Sequence, residues 1–276
     1  QNRSHFRSMD IWTSGKTSVE ETTGWLGRYF SIDHSDYPTG YPNDDFPDPF
    51  AISMGFEVSA TCQGLITNFS HSVVNPFDAV NLPNANVVND GSYYGIHMEY
   101  LSGIINQTNA FGAQIKAAAE NGNSLSQLYD SNNQLAVQLR HVAKMISGGL
   151  TTKVYILNIN GFDTHDNQVV QGQTTTGAHA NLLKKLSDAV YAFQDDLGLL
   201  GLEKRVVGMT FSEFGRQIAS NGSIGTDHGD AAPMFLFGDC LNMAIYGDNP
   251  EITDVVVPQA GIPMQFDFRD IYASVL

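Results

Sequence analysis

Apolar residues recur at three- and four-residue intervals in two stretches of the chain. Leu135, Leu139, Val142 and Ile146 share one helical face, and Gly148-Gly149 follows as a stop signal. Leu182, Leu183, Leu186, Ala189, Val190, Phe193 and Leu197 predict a longer helix, from near Asn181 to Gly198 or Gly201. Tyr94 to Glu120 reads as one long helix or two, ending at Asn121-Gly122, and Gly24 to Phe30 as a short helix or turn with apolar anchors. Between these the period changes. Val154 to Ile159 is a compact run of β-formers and the strongest strand signal. Val206 to Phe211 and Met234 to Phe237 are two further strands, and a short one is expected within Met54 to Cys62. Strand, helix and strand in succession predict an α/β fold with a mostly parallel sheet flanked by helices.

The polar stretches read as connections. Residues 33–49 hold five Asp and four Pro, a pattern that restricts the backbone and favours turns. A calcium loop would need a regular alternation of oxygen ligands, and that segment has none. Residues 68–92 are a second loop, and residues 1–60 are irregular and aromatic apart from the elements above. No internal repeat or break in composition demands a second domain, so residues 1–276 read as one.

Charge narrows the function. The chain has 29 Asp and Glu against 14 Lys and Arg, a formal net charge of −15. Nothing in such a chain neutralises a run of phosphates, so nucleic acid is excluded as a partner, as is docking on an anionic membrane surface. No run of eighteen apolar residues is present to span a bilayer. Only 16% of residues are charged, while Asn, Gly, Ser and Thr abound, a composition common in exported proteins. Cys62 and Cys240 allow one disulfide or two free thiols.

Three polar clusters fall where sites gather in α/β proteins, beyond the ends of strands. They are Asp163-Thr164-His165-Asp166, then Ser212-Glu213 with Arg216, then Gly225-Thr226-Asp227-His228-Gly229-Asp230. Each sits on a loop that glycine allows to turn sharply. Carboxylate oxygens beside imidazole nitrogens suit zinc, manganese or iron, and calcium stays among the candidate ions. Asp163, His165, Asp227 and His228 are the candidate metal ligands, with His179 as a further one. Glu213, Arg216 and His5 are the candidate catalytic residues, Arg216 because a guanidinium holds a tetrahedral oxyanion bidentately. Bland roles stand beside these: Asp163 as a cap, His165 on a backbone carbonyl, His179 at a helix start, and Glu213 paired with Arg216. His141 adjoins an apolar helical face and reads as structural. The zinc-binding H-E-x-x-H, the Walker loop, the dinucleotide fingerprint and the G-x-S-x-G elbow are all absent. Ser4, Ser212 and Thr226 are candidate nucleophiles, and nothing selects among them.

The same clusters resemble the bacterial DUF1501 family. The resemblance rests on Gly161 to Gln168, His179 to Leu183, Ser212 to Arg216 and, above all, Gly225 to Gly229. Arg3 to Phe6, Asp10 to Trp12, Gly24 to Arg28 and Asp267 to Tyr272 belong to the same ordered pattern. The family is similar to the alkaline phosphatase and sulfatase superfamily of metal-dependent hydrolases. That likeness implies an alkaline-phosphatase-like sheet and export in bacteria, often by a twin-arginine signal. It also implies a longer domain whose first strand and usual hydroxyl nucleophile would precede Gln1. In that superfamily an Asp-His pair followed by Gly binds one metal, which carries over onto Asp227, His228 and Gly229. The pattern departs in two places. The superfamily's second pair is spaced four apart, yet Asn167 stands four after Asp163, and no histidine follows His228. His179 or His5 would have to supply that missing ligand.

Three readings follow. The first is a metal-dependent hydrolase of anionic phosphate or sulfate esters, periplasmic or otherwise exported. The second is a non-enzymatic envelope scaffold or accessory subunit on a degenerate hydrolase fold, with an envelope protein as partner. The third is a sugar-binding protein that stacks Trp12 and Trp25 on its ligand.

Overall fold

A computed structural model describes residues 3–78, 82–83, 87 and 90–276. In chain order the elements are α1 (His5–Ser14), α2 (Trp25–Asp33), β1 (Ala51–Met54), β2 (Ser70–Val73), α3 (Tyr93–Asn121), α4 (Gln134–Ser147) and β3 (Val154–Ile156). They continue with α5 (Ala178–Leu200), β4 (Gly208–Met209), β5 (Leu236–Phe237) and α6 (Phe268–Val275). Contacts divide the chain into two compact units, one formed by residues 22–158 and one by residues 1–21 with 159–276.

In the 22–158 unit, three parallel strands lie in the order β2, β1, β3. All four residues of β1 are buried, as expected of a central strand covered on both faces. Leu26 and Phe30 of α2 pack with Tyr37, Phe50, Ala51, Cys62 and Phe69 into an aromatic core. Helix α4 buries Leu135, Leu139, Val142 and Ile146, the face its periodicity marks. Its buried Gln138 donates to the Met54 carbonyl just where β1 ends, at 3.1 Å. Helices α3 and α4 meet backbone to backbone. A Cβ on Gly122 would stand 1.8 Å from the Lys144 carbonyl oxygen, and one on Gly148 would stand 1.9 Å from that of Ala118.

The other unit holds α1, α5, α6 and the two-stranded antiparallel pair β4–β5. The amphipathic α5 buries Ala189, Phe193 and Leu197. Helix α6 faces its Phe268 and Tyr272 inward, one turn apart, against Trp12 of α1 at ring distances of 4.1 and 6.3 Å.

The protein is thus α/β, with small parallel and antiparallel sheets packed against several helices. Several expectations need correction. The strands at 154–156 and 208–209 do not share a sheet, so no strand–helix–strand crossover links them. Gly208 has no side chain, and the Phe237 ring takes that space, 2.0 Å from where a Cβ would be. The pairing then runs antiparallel to Thr210, whose N–H donates to the Phe235 carbonyl. Residues expected as irregular include α1, and β2 lies within the expected 68–92 loop, part of which falls outside the described residues. The strand expected within 54–62 lies just before it, and residues 60–62 form a 3-10 turn. Cys62 and Cys240 are free thiols, the first buried and the second exposed, and burial pushes the Cys62 thiol up to about 12. No helix among the described residues is long and apolar enough to cross a membrane.

Candidate metal centre

The cluster is assembled by the first turn of α1 and by three loops, all within the 1–21 and 159–276 unit. Helix α1 is fastened by Trp12, whose indole N–H donates to the Glu213 carbonyl at 3.0 Å. The Tyr272 hydroxyl donates to the Trp12 carbonyl at 3.2 Å. These bonds fix the helix start, and its first residue is His5.

Residues 215–217 and 227–230 run side by side, bridged antiparallel at Arg216 and His228. Gln217 N–H donates to the Asp227 carbonyl at 2.9 Å and Gly229 N–H to the Gly215 carbonyl at 2.7 Å. The 163–168 loop joins through Asn167 and Gln168, whose N–H groups donate to the Ser223 and Ile224 carbonyls. Asn221 ties all this together. Its amide donates to the His165 carbonyl at 2.8 Å and to Asp227 Oδ1 at 3.1 Å, while its oxygen accepts from Ser223 and Gly225 N–H. The glycines here serve close approach. A Cβ on Gly225 would stand 2.2 Å from the His165 carbonyl oxygen, and one on Gly229 would stand 2.3 Å from the Arg216 carbonyl carbon. Neither has a positive φ, so the sharp turn expected of them is not their role.

Three imidazoles converge on the Asp163 carboxylate. His5 Nε2 lies 3.2 Å from Oδ2, and His165 Nε2 and His228 Nε2 lie 3.0 and 3.1 Å from Oδ1. The two last nitrogens are 2.9 Å from each other. Each ring is braced at its other nitrogen by an oxygen. His5 Nδ1 meets Glu213 Oε1 at 2.7 Å, His165 Nδ1 meets Asp227 Oδ1 at 2.9 Å, and His228 Nδ1 meets the Arg3 carbonyl at 2.7 Å. A neutral ring that donates its Nδ1 proton in this way presents a bare Nε2 lone pair. Three such lone pairs and a carboxylate are held together only by positive charge, either extra protons or a metal ion. Metal-bound histidines characteristically donate their other N–H to a carboxylate or a carbonyl.

One donor atom each from His5, Asp163 and His228 lies within 4.8 Å of the others, a set able to hold a metal ion. Tetrahedral ligands at bond lengths of about 2.0–2.2 Å sit roughly 3.3–3.6 Å apart, so little opening of the cluster would admit a cation. Charge points the same way. Asp163, Glu213 and Asp227 face the single guanidinium of Arg216, whose Nη1 lies 2.6 Å from Asp163 Oδ1. With neutral imidazoles, that leaves about two uncompensated negative charges.

Burial opposes the charge on Asp163, but the Arg216 hydrogen bond and the fields of His165, Arg216 and His5 outweigh it and bring the carboxyl to about 2. Glu213 is likewise lowered against its burial, by its own backbone N–H, His5 and Ser212. Asp227 is lowered by Asn221 and then His165. His5 is raised, chiefly by Glu213. The anions are therefore the stable forms, and the site is wet: the His5, Asp163 and His165 side chains are 39%, 45% and 44% exposed.

Of the predicted residues, seven meet here: His5, Asp163, His165, Glu213, Arg216, Asp227 and His228. Asp227 and Glu213 reach the cluster through the imidazoles they brace. His179 lies in the first turn of α5, edge-on to Phe162 at 5.8 Å, and its backbone N–H donates to the Gln168 carbonyl at 3.1 Å. Burial and the charge of Arg216 push its imidazole below the usual histidine range, and it lies outside the His5, Asp163 and His228 set able to hold a metal ion. Residues outside the predicted site set also take part. Asn221 ties the loops, the Arg3 backbone carbonyl braces His228, and Gln168 accepts from Thr164 and Thr226. Arg3 is itself clamped to Asp230 by two bonds, 3.1 and 2.8 Å long.

The fold and the cluster together define an α/β protein with a histidine-rich candidate metal centre. The chain belongs to the family described as "Protein of unknown function (DUF1501)", whose model matches residues 121–275, more than half its length. The match takes in every predicted cluster residue except His5, which precedes it. No curated protein and no solved structure matches the chain.

Proposed function

We propose that this protein binds a divalent cation at His5, Asp163 and His228, with His165 beside them, and hydrolyses phosphate or sulfate esters with it. The observation that carries this reading is the convergence of three Nδ1-braced imidazoles on the Asp163 carboxylate. A bound zinc, manganese or calcium ion would supply Lewis-acid polarisation of the ester and a more acidic water. The chain's own residues do the rest. Glu213, Asp227 and the Arg3 carbonyl orient the rings. The Arg216 guanidinium, held by Thr226, stands where an anionic group meets positive charge. Ser212 donates to Glu213 and Thr226 to Gln168, and nothing selects either of them or Ser4 as nucleophile, so the proposal takes water in that role. The likeness of Gly225 to Gly229 to the alkaline phosphatase and sulfatase pattern supports the reaction class. The low charge content and the family resemblance support export to the bacterial envelope.

The test is metal analysis of the purified protein together with a panel of phosphate and sulfate esters. About one divalent ion per chain is expected. His228→Ala and Asp163→Asn should abolish both binding and turnover, and Glu213→Gln should weaken metal affinity roughly 10–100-fold. A protein that takes up no zinc, manganese or calcium and leaves the whole panel intact would instead support the envelope scaffold.

A further inference from the structure

A second polar site lies in the 22–158 unit, with chemistry opposite to the first. Phe77, Tyr129, Ser131, Arg140, His141 and Lys144 line a cavity of about 220 Å³. That is several times the ~30 Å³ share of one water. Arg140, His141 and Lys144 come from one face of α4, opposite its apolar face. Arg140 and Lys144 form a like-charge pair four residues apart, an arrangement that costs a helix stability unless something offsets it.

Among the described residues no carboxylate offsets it. Arg140 Nε donates only to Ser124 Oγ at 3.3 Å, and Lys144 Nζ sits over the Phe77 ring at 5.1 Å. Among the described residues, neither has a carboxylate within ion-pair distance. This is unexpected where acidic residues outnumber basic ones 29 to 14. His141 adds a second observation. Its Nδ1 is buried and without a hydrogen-bond partner, while its ring stands edge-on to Phe77 at 5.4 Å.

We infer that this cavity is a binding site for a tetrahedral oxyanion, a phosphate or sulfate ion or such a group on a larger ligand, held by Arg140 and Lys144 with the His141 ring in its wall. The guanidinium and ammonium would give charge-assisted hydrogen bonds. The aromatic walls from Phe77 and Tyr129 leave room for a ring beside the anion.

The test is calorimetric titration of the full chain, stripped of metal by chelation, with inorganic phosphate. Saturable binding is expected, and Arg140→Gln and Lys144→Gln should each weaken it roughly tenfold. His228→Ala, which removes a donor of the proposed metal centre, should leave it unchanged. Phenyl phosphate separates the sources: tighter binding than inorganic phosphate marks a phosphate group on a larger ligand, and equal binding marks the free ion. Absence of saturable binding, affinity unaltered in Arg140→Gln and Lys144→Gln, or loss confined to His228→Ala would overturn the assignment.

Discussion

Gly225 shows at residue scale how the cluster is built. Its α-carbon passes so close to the 164–165 backbone that a methyl group would lie 2.2 Å from the His165 carbonyl and 2.6 Å from that of Thr164. The obstacle is backbone, so no rotamer change relieves it. Gly225→Ala is therefore expected to cost about 1–3 kcal/mol, read as a shift in the denaturant midpoint. It should also move His165 away from Asp227 and weaken metal binding. An unchanged midpoint would show that the loops part freely. The sharp turn expected of the site glycines holds at Gly161, whose φ is +105°, but not at Gly225 or Gly229, because close approach and sharp turning leave the same residue behind. The short motifs around Asp163, His165, Asp227 and His228 were legible because each carries its chemistry in adjacent letters. His5 was legible only as a candidate, and the brace on His228 not at all, since a backbone carbonyl such as that of Arg3 has no letter of its own. His179 lies on a helix whose first turn faces Phe162, outside the three-donor set.

At the scale of elements, α6 braces α1 and so indirectly holds His5. Its N-cap is Asp267, which accepts from Arg269 N–H at 3.0 Å and pairs with the Arg269 guanidinium. Asp267→Ala should destabilise the protein by about 0.5–2 kcal/mol in chemical denaturation. The pH dependence has a definite sign. The Arg269 side-chain hydrogen bond, with its backbone N–H and charge, brings Asp267 down to about 2 against burial. A carboxyl lowered on folding stabilises above its unfolded value, near 3.9, and loses that contribution as pH falls toward about 2. Asn caps as well as Asp but carries no charge, so wild type and Asp267→Asn should converge in stability between about pH 4 and pH 2, and a gap that stays constant would refute the stabilising role of the Asp267 charge. Helices α4 and α5 were legible because 3.6-residue periodicity accumulates over four or more turns. The runs 154–159, 206–211 and 234–237 hold β3, β4 and β5, but their pairing was not legible, because β4 and β5 are two residues long and partners are chosen by contacts such as Phe237 on Gly208. A run such as Val206 to Phe211 signals extended chain, but nothing in it states which strand lies alongside or in which direction.

At the scale of the whole molecule, the charge of −15 was readable from the start, whereas the joining of residues 1–21 with 159–276 into one compact unit was not. That joining depends on contacts between segments remote in sequence, such as Arg3 with Asp230. The charge now makes a prediction for the proposed reaction. An anionic ester approaches a strongly acidic protein against long-range repulsion, and the attraction of Arg216 acts only at short range. Raising ionic strength from about 0.01 to 0.15 M shortens the Debye length from about 30 to 8 Å. The repulsion is then screened before contact, so kcat/KM for an anionic ester should rise severalfold, while a neutral ester of the same leaving group should respond little. The metal ion should behave oppositely. The acidic field attracts a dication, so its affinity should fall across the same salt range when ions of matched type are used. Opposite salt slopes for the two ligands would fit one acidic molecule that concentrates a cation and repels its substrate. Parallel slopes would mean that the field at the cluster is set by Arg216 and its immediate neighbours rather than by the net charge.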